Sequence, residues 1–391
     1  MSGSSLWARR GTLGALAGTL LVGGGLGAAA LRQTARDASP DDAETAGPAK
    51  NTSFGLNHYG LFLPGVAERK PALDALASFG RLGMPFVRFP ASAQWAGDWK
   101  VFDADPQAWW EVMDKVFAAA EHHGVKLVPV VFWHSVALAF HMGEPMQAWA
   151  DPASRTRQFS HRFTQSFVER YDRSPALMMY EFTNELNAWA DLPNVLQFWP
   201  KHDPTMPERS PMPQDRLSTA QIHDFVEDFA RTIRASSRKP ISMGSDFPRD
   251  NAWHLARRSW DTDSRQNFID NLDDLTPPAI DALSVHLYST HYGTPHSIFP
   301  DAASALQAIV AAARRGGRLS FVGEFGSQRL SDLQQERKIF NELLTALTHS
   351  GIDYAALWNY SATPFQPDWD VAETGPRAYQ IEALMAANRA R

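Results

Sequence analysis

Leu177-Met178-Met179-Tyr180-Glu181-Phe182-Thr183-Asn184-Glu185-Leu186-Asn187 is an apolar run that stops at Thr-Asn-Glu. An aromatic, proline-rich connection follows it, from Asn187 to Leu217, and contains Trp189 and Trp199. We read the run as a buried strand that delivers Glu185 to the mouth of a barrel. A lone Asn-Glu pair at a strand end is more often a solvated carboxylate. The rest of the chain must therefore supply this Glu with partners.

Working outward, the chain from Asn51 alternates short apolar runs with helical patterns. Seven further strands are expected: Ser53 to Asn57, Pro85 to Phe89, Leu127 to Phe132, Pro240 to Met243, Ala282 to His286, Leu319 to Gly323 and Tyr354 to Trp358. Leu127 to Phe132 has the continuous apolar character of a strand buried on both faces. Helices are expected between them. Asp105-Pro106 and Asp151-Pro152 read as N-cap plus first-turn proline. Ser218-Thr219-Ala220-Gln221 and Ser331-Asp332-Leu333-Gln334 read as capping boxes. Phe159, Phe163 and Phe167 recur every four residues, the spacing of one helix face. Eight strands, each followed by a helix, predict an α/β fold: a single (β/α)8 TIM barrel over residues 51–391. An open doubly wound sheet would call for a Gly-rich phosphate turn after the first strand, and none is present.

Bulk properties agree with one large domain. The chain has 391 residues, of which 44% are hydrophobic, enough for a sizeable core. A net charge of −6 gives no footprint for nucleic acid. There is no cysteine, which excludes disulfides, thiolate nucleophiles and Cys-ligated metals. No cofactor is expected. Arg9-Arg10 precede an uncharged Gly-, Ala- and Leu-rich stretch from Gly11 to Leu31. Residues 1–50 thus read as an export signal of twin-arginine type, or an uncleaved membrane anchor, plus a linker. The expected location is the periplasm or the exterior.

In such a barrel the active site lies at the C-terminal ends of the strands. The residues expected there are Asn57 after strand one, Arg88 on strand two, Trp133-His134 after strand three and Asn184-Glu185 after strand four. His286 and Tyr288 follow on strand six, Glu324 on strand seven and Trp358 on strand eight. Glu324 sits between glycines in Val322-Gly323-Glu324-Phe325-Gly326, where a missing Cβ permits close approach. Two carboxylates at one barrel face are what cleavage of a glycosidic bond requires. One protonates the leaving oxygen, and the other attacks the anomeric carbon or activates water.

The ordered set resembles the cellulase-like glycoside hydrolases of family 5, in the clan of (β/α)8 retaining glycosidases, over Asn51 to Arg391. The resemblance implies Glu185 as acid/base beside Asn184, and Glu324 as nucleophile. It implies further roles for Arg88, for His286-Leu287-Tyr288 and for Trp358 at the sugar. His134 matches more loosely, because the Asp that often stands two residues earlier is Phe132 here. The substrate implied is a carbohydrate, with β-linked glucan or mannan as the family's commonest theme. On physical grounds Glu185 should have a raised pKa, facing a negative Glu324. Glu324 should be ionised, held by Arg88 and Tyr288. Trp189 and the connection around it, Gln94 to Trp99, and Thr363 to Trp369 are candidate sugar subsites. The rival readings are a metal-dependent hydrolase built from His134, His286, His291 and Asp281, a carbohydrate-binding barrel without turnover, and a transglycosylase.

Overall fold

In the computed structural model, residues 52–62, 70–197, 210–361 and 366–390 are described. The expected export signal or anchor, and Trp199, lie outside them. Eight parallel strands close into one barrel in chain order. They are β1 (Ser53–Asn57), β2 (Phe86–Pro90), β3 (Lys126–Phe132), β4 (Tyr180–Thr183), β5 (Ile241–Ser242), β6 (Ala282–Tyr288), β7 (Leu319–Gly326) and β8 (Tyr354–Leu357). The barrel closes where Ser53 to Leu56 of β1 pair with Tyr354 to Leu357 of β8.

The alternation of side chains along each strand sorts the barrel interior into layers. Phe86, Val128, Ala282, Phe321 and Ala356, from five strands, and Met179, just before β4, form a buried apolar cluster of their own. Two residues further along the chain from each stand Arg88, Val130, Glu181, Ser284, Gly323 and Trp358. The interior thus changes from an apolar plug to polar groups within one pleat. The much larger apolar core lies between the strands and the surrounding helices. Phe163 and Phe167 on helix Arg155–Tyr171 are buried in it, with Phe132 and Phe182 from the outer faces of β3 and β4.

Most helix signals hold. Asp105 accepts from the Ala108 amide with Pro106 in the first turn, and Ser218 and Gln221 form the reciprocal box. Two shift. Helix Arg155–Tyr171 is capped by Ser154, whose hydroxyl accepts from Arg157 N–H, while Asp151 holds the preceding turn through Ala153 N–H. Asp332, not Ser331, caps Leu333–His349, because its carboxylate reaches the amides of both Gln334 and Gln335. The segment after β5 forms two short helices, Ala252–Leu255 and Arg265–Leu275.

The opening stretch is corrected in its extent. β4 ends at Thr183, so Asn184 and Glu185 lie beyond it. Glu185 adopts a left-handed conformation, φ 56°, uncommon for a residue with a side chain. Its amide donates to Gly244 O at 2.8 Å. Gly244 has φ +81°, and a Cβ there would lie 2.0 Å from Thr183 O and 2.9 Å from Glu181 Oε1. Gly244→Ala should therefore destabilise the fold by about 2 kcal/mol or more. Denaturant unfolding checks this, and a variant as stable as the parent would contradict the close approach.

Candidate active site

The floor of the site is the buried guanidinium of Arg88, fully removed from solvent. Nε donates to Glu181 Oε1 at 2.6 Å, and Nη2 to Asn184 Oδ1 at 2.7 Å. Nη1 donates to Asn57 Oδ1 at 2.9 Å and to Glu324 Oε1 at 2.8 Å. Its flat face lies 5.0 Å from the centre of the Trp133 ring. One side chain on β2 thereby fixes groups from β1, β4 and β7. Asn57 completes the tie, donating through Nδ2 to Gly323 O at 2.9 Å and Ala356 O at 3.2 Å. Asn57 was expected in the cleft. With its amide oxygen and nitrogen both engaged and 1% exposure, it sits behind Arg88 instead.

Glu324 reaches the interior through an irregularity in β7. Val285 and Leu287 of β6 face Val322 and Phe325, so three steps of β7 stand against two of β6. The same shift recurs against β8. The extra residue is a β-bulge, a device that re-aims a side chain. It turns both Gly323 and Glu324 toward the barrel axis. A Cβ on Gly323 would sit 3.0 Å from Ser284 Oγ and 3.1 Å from His286 Nε2. Tyr288 OH donates to Glu324 Oε2 at 2.6 Å.

Glu185 meets Glu324 across His286. His286 Nδ1 is 2.7 Å from Glu185 Oε1 and 3.5 Å from Glu324 Oε2. A carboxylate oxygen of each Glu and a ring nitrogen of His286 all lie within 4.8 Å of one another. The side chain of Glu185 is 17% exposed and that of Glu324 5%. Burial pushes the Glu185 carboxyl up to about 7, against the pull of Arg88 and His134. The direction agrees with expectation, while the main cause is desolvation rather than the facing charge. Burial raises Glu324 as well, helped by Glu185 and opposed by His286, Arg88 and the Tyr288 hydrogen bond. Burial lowers His286 to about 4, so its ring is neutral near pH 7. Burial and the two carboxylates push the Tyr288 hydroxyl far up, which keeps it a donor.

Aromatic rings wall the opposite side. Trp358 stacks on Trp133 at 5.9 Å and 16°, with Tyr59 edge-on to both. Trp358 Nε1 donates to Gln366 Oε1 at 3.0 Å, and Trp369 stands edge-on to Tyr288. His134 is half-buried with Nδ1 2.9 Å from Gln94 O and Trp95 edge-on to its ring. Trp189 follows Glu185 in a short 3-10 turn, half-buried against the core. The Asn187–Leu217 connection is closed at its base by a bridge between Ala190 and Leu217. Trp99, in the second candidate subsite, is 1% exposed and stacked on Trp109; it is core, not cleft.

Two acidic groups escaped the sequence reading. Glu181 is completely buried, accepting from Arg88 and from Ser242 Oγ at 2.5 Å. Its signal was a carboxylate inside an apolar strand, two residues before Thr183, at the same pleat as Arg88. Asp246, just past β5, lies near Glu185. The metal set His134, His286, His291 and Asp281 is not brought together. Asp281 precedes β6 and pairs with Arg234, whereas His286 lies near the strand's far end. Among the described residues, Glu185, His286 and Glu324 are the one grouping of metal-ligating types, and Arg88 already pairs with its Glu324.

A closed parallel (β/α)8 barrel with two glutamates converging at its C-terminal mouth defines the class of barrel glycosidases. Within that class the chain belongs to the cellulase family, glycosyl hydrolase family 5, whose sequence profile matches residues 48–363. It is 22% identical over 254 residues to mannan endo-1,4-beta-mannosidase A of Podospora anserina, covering 63% of this chain and 58% of that protein. A shorter match, 31% over 108 residues, is to the Hps1-dma1 cluster transcription factor tfc7 of Dothistroma septosporum, covering 28% of this chain and 24% of that one. The chain thus spans less than two thirds of either curated relative. The endo-beta-1,4-mannanase of Thermotoga petrophila superposes with a TM-score of 0.62 at 14% identity, covering 88% of this chain and 78% of that one. Among the described residues no helix is long and apolar enough to cross a membrane.

Arg88→Ala leaves Glu181 buried beside an unpaired cavity and releases Glu324 and Asn184. Removing one partner of a buried ion pair costs roughly 3–5 kcal/mol. Chemical denaturation should show a loss of that order, and a loss below about 1 kcal/mol would contradict the network.

Proposed function

We propose that the protein is a retaining glycoside hydrolase that cleaves β-linked bonds in a mannan or glucan by double displacement. Glu324 is the nucleophile and Glu185 the acid/base. The observation that carries this reading is the close approach of the two carboxyl groups, with oxygens within 4.8 Å. That close approach accords with the roughly 5–5.5 Å separation of retaining pairs.

The two environments divide the labour. Glu324 has direct cationic and hydroxyl donors, Arg88 on one oxygen and Tyr288 on the other. These oppose the upward push of burial on its carboxyl and aim it at the anomeric carbon. Glu185 is raised to about 7 by burial, which suits a group that must protonate the leaving oxygen and then take a proton from water. Neutral His286 orients it at 2.7 Å. Asn184 has its oxygen turned to Arg88, which frees its NH2 for the sugar 2-hydroxyl. Trp358, backed by the buried Trp133 ring, offers an aromatic surface for the sugar ring. Trp189 and His134 line the approach.

The mannan side is favoured by the names of the curated mannosidase and the superposing mannanase. A polymeric substrate also accords with the export expected from Arg9-Arg10 and the apolar stretch behind them.

Glu185→Gln and Glu324→Gln should each lower turnover of β-mannan or β-glucan oligosaccharides by about 10²–10⁴-fold or more. Near-parental rates in both variants would overturn the assignment. The pH profile of kcat/KM gives a separate check. Activity needs Glu185 protonated, so it should be present below pH 7 and fall as pH rises through about 7. It should also fall in acid, as Glu324 gains a proton. Glu185→Gln should remove the alkaline limb, and an unchanged limb would assign it to another group.

A further inference from the structure

Strand five contributes nothing to the family pattern recognised in the sequence, yet its end is built into the site. Gly244 O accepts the Glu185 amide at 2.8 Å. Two residues on, the Asp246 backbone is clasped by Asn187. Asn187 Oδ1 accepts from Asp246 N–H at 2.7 Å, and Asn187 Nδ2 donates to Asp246 O at 3.0 Å. Arg249 reaches back across the same gap to Ala188 O, and to Ala190 O at 2.6 Å. The turn carrying Glu185 and the turn carrying Asp246 are thus one cross-linked unit.

The Asp246 side chain is half-buried. One oxygen, Oδ1, accepts from Phe247 N–H at 2.7 Å, which fixes the carboxyl orientation. Among the described residues none donates to Oδ2. Arg249, the neighbouring cation, spends both terminal nitrogens on the carbonyls after Glu185. Phe247 in turn is held by stacking on His291 at 4.9 Å and 19°. A carboxyl that is oriented through one oxygen and has no donor on the other costs desolvation with no return from the protein itself. Its neighbours tell which part of the cleft it serves. Asn187, two residues past Glu185, clasps its backbone, and Gly244, two residues before Asp246, holds the Glu185 amide, so Asp246 stands on the Glu185 side of the mouth. An acid/base group stands beside the oxygen of the departing sugar, so the side of the cleft nearest Glu185 holds the leaving group.

We propose that Asp246 is a substrate-binding residue for the leaving-group sugar, its Oδ2 hydrogen-bonding a hydroxyl of the unit released when the glycosidic bond breaks. The inference rests on the glycosidase reading above and adds a subsite to it. Burial and the Glu185 charge raise the Asp246 carboxyl well above the usual range, so it can donate to a sugar oxygen as well as accept from a hydroxyl.

The test compares two substrates that share the sugars on one side of the bond. One is a β-1,4-linked manno- or cello-oligosaccharide, and the other is an aryl glycoside, which lacks a leaving-group sugar. Asp246→Ala deletes both oxygens. Asp246→Ser keeps an acceptor for the Phe247 amide but cannot reach the cleft, so it preserves the turn. Both variants should lower the ratio of oligosaccharide to aryl-glycoside kcat/KM by about tenfold or more, mainly through KM, the effect of one lost strong hydrogen bond. A fall of equal size on both substrates would mean a merely structural role, and an unchanged ratio would mean no contact; either overturns the proposal. A parent enzyme inactive on every such substrate would overturn the glycosidase reading itself.

Discussion

Everything in the site depends on one buried cation. Taking the Arg88 guanidinium out of water costs several kcal/mol unless its donors are met. They are met by Glu181, Asn57, Asn184 and Glu324, drawn from three other strands. Arginine suits this place because its planar fork offers donors in fixed directions, so one residue sets the orientation of several acceptors. Glu181 supplies the compensating charge from inside the barrel, which lets Glu324 keep its outer oxygen for Tyr288 and the cleft. The consequence is a Glu324 carboxylate whose position is set before any ligand arrives, the preorganisation that the proposed nucleophile calls for.

Departures from regular barrel geometry gather at the same mouth. The bulge in β7 turns Glu324 inward, and the left-handed backbone at Glu185 turns the other carboxyl to meet it. Gly323 and Gly244 make the room for each, one against Ser284 and His286, the other against Thr183 and Glu181. Strain of this kind persists only where surrounding contacts over-determine it. Here the apolar plug of Phe86, Val128, Met179, Ala282, Phe321 and Ala356 underlies the polar layer, and the helix-packed core encloses it.

The barrel was legible in the sequence because buried strands and capped helices leave strong periodic marks. Glu185, Glu324, Arg88, His286 and Tyr288 were legible because each is a polar residue that interrupts or closes an apolar run. What escaped notice depended on distant contacts. Nothing local marks the β7 bulge, which arises from a mismatch with both neighbouring strands. Asn57 looks like a cleft residue until its amide is seen to be engaged by Arg88, Gly323 and Ala356. Trp99 reads as a loop aromatic until Trp109 stacks on it. Asp246 was passed over because β5 is two residues long and its end gives little signal.

The central claim is that Glu324 attacks the sugar directly, rather than steering a water. Proton NMR of the first product formed from a β-linked substrate, before mutarotation, decides this. Retention, with the β-anomer appearing first, is the result expected of two carboxyl groups this close. Appearance of the α-anomer first would contradict the account, because inversion needs a water between the sugar and the second carboxylate.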